Sequence, residues 1–124
     1  MEKKGYKKLI IWEKSHRMAM EIYKATAHFP KEELYGLTSQ MRRSGLSVSL
    51  NIVEGHASSS KREFLSFLNI ANRSLVETEY LLEVALELGY LSQAAYGSLE
   101  NLRSEVGVVL TAFARSLKNR MSLL

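Results

Sequence analysis

An all-α, up-down-up-down antiparallel four-helix bundle is the fold that this 124-residue sequence predicts, on three observations. Four segments repeat apolar residues every three or four positions, and none alternates with the period of a half-buried strand. The connections between them are about three to six residues, too short to carry the chain back along a bundle, so consecutive helices are antiparallel neighbours. Composition agrees: every acidic residue is Glu, and one Pro with seven Gly leaves little material for turns or long loops. At 14.1 kDa the chain has room for one domain, residues 1–124, with a sizeable core and no separate regulatory half.

The first helix is expected over residues 9–27, with Trp12, Ala19, Ile22, Tyr23 and Thr26 on one face, and stops before Phe29-Pro30 because proline disfavours continued helix. Lys31-Glu32-Glu33 supplies carboxylates suited to a helix N-terminus, and the second helix follows over residues 34–54 with Leu37, Met41, Val48 and Ile52 in line. Gly55 and Ala57-Ser58-Ser59-Ser60 are expected to end it. Ser60-Lys61-Arg62-Glu63 reads as a capping box, in which hydroxyl and carboxylate each accept from an unpaired backbone N–H. From there Phe64, Phe67, Leu68, Ala71, Leu75, Thr78, Leu82 and Ala85 step at the seam spacing of packed helices, and Gly89 stands at the natural C-terminal stop. Ser92 caps the fourth helix, whose apolar row is Ala95, Leu99, Leu102, Val106, Val109, Leu110, Phe113 and Leu117, with fraying expected over residues 120–124.

Several function classes drop out. Zero Cys excludes disulfides, thiolate nucleophiles and zinc ribbons. The longest stretch without Asp, Glu, Lys or Arg, residues 88–99, is far short of the roughly 20 apolar residues of a membrane span. The basic start has no secretory apolar region, since Leu9-Ile10-Ile11-Trp12 meets Glu13, so a cytoplasmic location is expected. Glu13-Lys14-Ser15-His16 has the E-x-x-H step of di-iron bundles, but that site needs the step twice, and neither His28 nor His56 has a Glu three residues before it. There is no Gly-rich phosphate loop. No catalytic set, metal site or cofactor site is expected.

Charge is unevenly placed on a chain of net +4. Residues 1–62 carry 12 Lys/Arg against 6 Glu, residues 63–105 carry 2 against 7, and residues 106–124 carry 3 against none. A basic end beside an acidic middle fits either a face that meets a polyanion or subunits that meet through opposite charges. Lys3, Lys4, Lys7 and Lys8 form a basic arm able to neutralise phosphates without reading bases. Lys61 and Arg62 stand at a helix N-terminus, where backbone N–H groups already favour anions. In the second helix Gln40, Arg43 or Ser44, Ser47, Asn51 and Glu54 form a polar ladder beside the apolar row. It reads either as a network packed between helices or subunits, or as a ligand surface on which Arg42 and Arg43 hold phosphate.

With the ladder and its flanks in view, the sequence resembles a known family. Trp12-Glu13-Lys14-Ser15, the run from Phe29-Pro30 through Gly36-Leu37-Thr38-Ser39-Gln40 to Arg42-Arg43, Asn51-Ile52-Val53-Glu54-Gly55, Lys61 through Phe67, Ser74-Leu75 and Leu86-Glu87-Leu88-Gly89-Tyr90-Leu91 are similar to the bacterial four-helix bundle proteins encoded by 23S rRNA intervening sequences. The likeness covers residues 9–92, with the fourth helix matching in pattern alone. Two departures are Arg73, where glycine is common, and Leu46-Ser47-Val48-Ser49-Leu50, which lacks a frequent proline. The resemblance implies a cytoplasmic bundle without known enzymatic activity that forms homopentamers with basic surfaces. It also implies kinship to the accessory proteins of diversity-generating retroelements, which are associated with reverse transcriptase and nucleic acid. Five copies at +4 would carry +20. The expected function is a non-enzymatic, oligomeric bundle that binds RNA or a ribonucleoprotein with low sequence selectivity. Its rival is a protein-interaction adaptor that docks a partner through the ladder and the acidic third helix (Glu77, Glu79, Glu83, Glu87).

Overall fold

The computed structural model describes residues 3–122, and these form four α-helices: α1 (Ile10–Thr26), α2 (Leu37–Ala57), α3 (Lys61–Glu87) and α4 (Gln93–Ser122). Each helix packs on the next and α4 returns to α1, which makes the antiparallel four-helix bundle that the periodicity predicts. Leu123 and Leu124, expected to fray, lie outside the described residues, and α4 continues as far as Ser122.

The core runs through the middle of all four helices: Met18 and Ile22 from α1, Met41, Val48 and Ile52 from α2, Leu68, Leu75 and Leu82 from α3, and Leu99, Val106 and Leu110 from α4. In α1 the buried row is Ile11, Ser15, Met18, Ala19, Ile22 and Thr26, rotated from the face expected in the sequence. Tyr23 turns outward and Trp12 is half-buried, because large rings with a polar edge sit well where two helices meet the surface.

Both ends of α2 differ from expectation. Residues 31–33 form a single 3-10 turn, and α2 begins only at Leu37, after Gly36 adopts φ −114°, ψ −113°. The Glu33 carboxylate accepts from the Leu37 N–H at 3.2 Å, so it caps the helix from outside instead of opening it from within. At the other end α2 passes through Gly55 to Ala57. A Cβ at Gly55 would lie 2.7 Å from Phe64 Cδ1 and 2.9 Å from Phe67 Cβ, so this glycine makes room for α3 and does not stop the helix.

The caps of α3 and α4 follow their residues closely. Ser60 Oγ accepts from the Glu63 N–H at 3.1 Å, whereas the Glu63 carboxylate reaches Ser59, accepting from its hydroxyl at 3.1 Å, and leaves Ser60's own amide. Gly89 has φ +79°, and the Tyr90 N–H donates to Ala85 O at 2.9 Å, a closure that needs the left-handed glycine. Ser92 Oγ accepts from the Ala95 N–H at 3.0 Å.

Candidate nucleic-acid interface

Antiparallel topology carries three distant stretches of sequence to one end of the bundle: the arm before α1, the turn from α2 into α3, and the last turns of α4. Rings pin them there. Tyr6, in a short 3-10 turn Gly5–Lys8, meets Trp12 edge-on with centroids 5.2 Å apart. Phe64 of α3 packs against Phe113 of α4 at 5.4 Å and against the His56 ring at 6.3 Å.

The charged side chains at this end are mostly cationic. Lys4, Lys7 and Lys8 are exposed, and Lys3 makes one loose contact, 3.8 Å, with Glu13. Lys61 and Arg62 open α3 in its first turn, with the unpaired N–H groups of that turn beside them. From α4 come Arg115, Lys118 and Arg120, the last donating to Ser116 Oγ at 3.2 Å. Among the described residues the carboxylates near them are Glu13, Glu54 and Glu63, and the last is occupied in the α3 cap. Between α3 and α4 a groove of about 340 Å³ runs up from this end, with Asn69 and Asn72 on one wall and Arg115 and Lys118 on the other. Carboxamides facing guanidinium and ammonium groups can bind phosphate and sugar oxygens without selecting a base.

The sequence points to the arm, Lys61 and Arg62, but not to the α4 cations. Their signal is present as the +3 of residues 106–124 and the i, i+3 step of Arg115 and Lys118, which acquires meaning only when the antiparallel path brings them beside the arm.

Arg42 and Arg43 lie elsewhere. They stand 15 and 14 residues before the end of α2 at Ala57, or ~22 Å along the axis. Arg42 donates through Nε to Thr26 Oγ1 at 2.9 Å and through Nη2 to Tyr23 O at 3.4 Å, with its guanidinium 4.8 Å from the Tyr23 ring centroid. Arg43 is exposed. The polar ladder divides in the same way. Ser44, Ser47 and Asn51 turn into the α2–α3 seam, where the Thr78 hydroxyl donates to Ser44 Oγ at 3.0 Å, Ser47 and Ser74 share a 2.8 Å hydrogen bond, and Asn51 Nδ2 donates to Ser47 O at 2.8 Å. Gln40, Arg43 and Glu54 face solvent.

The E-x-x-H step stays at the surface: Glu13 faces Lys3, and His16 stacks on Trp12 with centroids 4.8 Å apart. Among the described residues no three His, Asp or Glu side chains are placed to share a metal ion. Among the described residues, four shifted ionisations mark structural contacts. The Lys14 ammonium donates to Glu105 and holds its carboxyl below the usual value. The Glu100 carboxylate raises Arg103 against the opposing effect of burial, with Glu79 at 3.2 Å adding to it. Tyr90 is raised chiefly by its hydrogen bond to Glu33, and Tyr96 chiefly by burial. No helix among the described residues is long and apolar enough to cross a membrane.

Known proteins bear on this arrangement. A family model described as 23S rRNA-intervening sequence protein matches residues 7–112. A crystal structure of a protein of unknown function, from the S23 ribosomal protein family of Bacteroides thetaiotaomicron, superimposes with a TM-score of 0.79 at 28% identity. The match covers 86% of this chain and 96% of that one. No curated protein matches.

Proposed function

We propose that this chain, which belongs to the 23S rRNA-intervening sequence protein family, is a non-enzymatic, self-associating bundle that holds structured RNA or a ribonucleoprotein by its phosphates. The observation that carries this reading is the convergence of Lys3, Lys4, Lys7, Lys8, Lys61 and Arg62 with Arg115, Lys118 and Arg120 at one end of the bundle. Each cation that meets a phosphate releases a condensed counterion, so affinity comes from their number and falls with salt. The groove walls offer amides and cations without an exposed aromatic platform, which suits backbone contact over base reading. Self-association multiplies the charge, so a weak contact per subunit becomes firm across an assembly.

The test is binding of a structured RNA at low and moderate salt, compared with an unrelated RNA of equal length. Retention at low salt, a steep loss as salt rises and similar affinity for both RNAs are expected. Replacing Lys7, Lys8, Lys61 and Arg62 by Ala should weaken both complexes alike and flatten the salt slope by roughly one unit for each cation that had met a phosphate. No retention at low salt rejects the proposal.

A further inference from the structure

We propose that copies of this chain join through two unlike faces: the depression around Tyr35, Arg42 and Arg43 of one copy receives the Tyr80 ridge of the next, with Glu83 and Glu87 meeting the arginines. This rests on the self-association proposed above and names the surfaces that carry it.

The first face is a depression of about 480 Å³ between α1 and α2, lined by Tyr23, Leu34, Tyr35, Arg42, Arg43 and Leu46. Tyr35 is 94% exposed and Leu34 47%, an arrangement that leaves apolar area in water beside two guanidinium groups. Arg42 is already held over Tyr23 by two hydrogen bonds, so a partner would not have to order it. Buried Tyr and Arg side chains concentrate binding energy at protein interfaces. A polyanion, by contrast, would find two cations here and a mostly apolar floor.

The second face is the outer side of α3. Val76 and Tyr80 are 56% and 65% exposed, and Glu77, Glu83 and Glu87 surround them. Among the described residues these three carboxylates have no ion-pair partner, unlike Glu79, which Arg103 holds. The one cation on this side of the helix, Arg73, stands about two turns below Tyr80. The upper part of the face is therefore an aromatic ridge flanked by negative charge, complementary to the first.

Height along the bundle also agrees. The hydrogen bond from Thr78 to Ser44 sets residues 77–80 of α3 level with Arg43 of α2. Two copies standing side by side with parallel axes, offset by about one helical turn, set Glu83 level with Arg43 and Glu87 one turn beyond it, while the Tyr80 ridge still falls within the depression. Because the faces differ and lie on different sides of the molecule, each copy has both to offer, and the contact repeats from copy to copy instead of ending at a dimer.

The experiment is mass by light scattering on RNA-free protein over a concentration series, with circular dichroism to verify equal helicity. Wild type, Arg43→Glu, the pair Glu83→Arg/Glu87→Arg, and all three changes combined are compared. The wild type should assemble, each reversal alone should weaken assembly at least tenfold, and the combination should restore it. An assembled wild type whose mass neither reversal changes, or reversals that dissociate it without rescue in combination, overturns these faces while self-association stands. A wild type that stays monomeric at the highest attainable concentration overturns both.

Discussion

The α2–α3 seam and the α1–α4 seam solve one packing problem in opposite ways. Between α2 and α3 small residues let the helices approach: Ser44 and Ser47 meet Thr78 and Ser74 closely enough for hydroxyls to bond across, and Gly55 admits the rings of Phe64 and Phe67. Between α1 and α4 lies an open groove of about 590 Å³, lined by Arg17, Glu21, Lys24, Ser98, Asn101 and Glu105, and the partly exposed Lys14–Glu105 pair joins the two helices beside it. Close approach demands that every buried hydroxyl find a partner, and among the described residues no buried side-chain nitrogen or oxygen is left without one. A wide seam makes no such demand, since water solvates its long charged side chains. The first seam is therefore sensitive to single atoms and the second is not.

Gly55 should show this most strongly. Gly55→Ala places a Cβ against Phe64 and against the backbone-proximal Cβ of Phe67, and overpacking of roughly 1–3 kcal/mol is expected in denaturant melts. Gly45→Ala is the control, because its one contact closer than ordinary van der Waals distance would be with Cδ1 of Ile22 at 2.8 Å, the far end of a flexible side chain, with Ala19 Cα at 3.9 Å. The roughly 1 kcal/mol that alanine gains over glycine in a helix then offsets most of the repacking. Equal losses in both variants would break the distinction between a steric glycine and a tolerant one.

Thr78→Val comes next. It removes the donor to Ser44 Oγ and Ser74 O while Ser44 keeps its own bond to Met41 O, so a loss of about 1 kcal/mol is expected. The smallest effect belongs to the wide seam. Lys14 lowers the Glu105 pKa in the folded state, so the stabilisation is complete above the ordinary carboxylate value and is lost as pH falls through the lowered one. Lys14→Met should remove this acid-side component, with a change near the scatter of repeated melts because half of the Glu105 side chain is exposed and salt screens the pair.

The same contrast explains what the sequence could reveal. Four helices, their order and most of the core rows were legible because apolar spacing records which face is buried, and the serine caps were legible because a hydroxyl beside an unpaired N–H has few other uses. Gly55 was misread because glycine serves equally to end a helix and to admit a neighbour, and only Phe64 and Phe67 decide between them. The start of α2 was misplaced because Glu33 can act inside a first turn or from beyond it, and Gly36 selects the latter. At the candidate interface, the lysine arm and Lys61-Arg62 declare themselves as local clusters. The α4 cations do not, since their neighbours are set by topology, and Arg42 and Arg43 leave that cluster because a helix axis separates what composition groups together.

Glu33 has a wider role than its cap. Its two carboxylate oxygens are divided between connections that are far apart in the chain, one accepting from the Leu37 N–H and the other from the Tyr90 hydroxyl at 2.9 Å. The Tyr90 ring also rests on Phe29, with centroids 5.4 Å apart. One side chain thus buckles together the α1–α2 and α3–α4 hairpins at the tip opposite the lysines, and loosening either hairpin there unfastens the other.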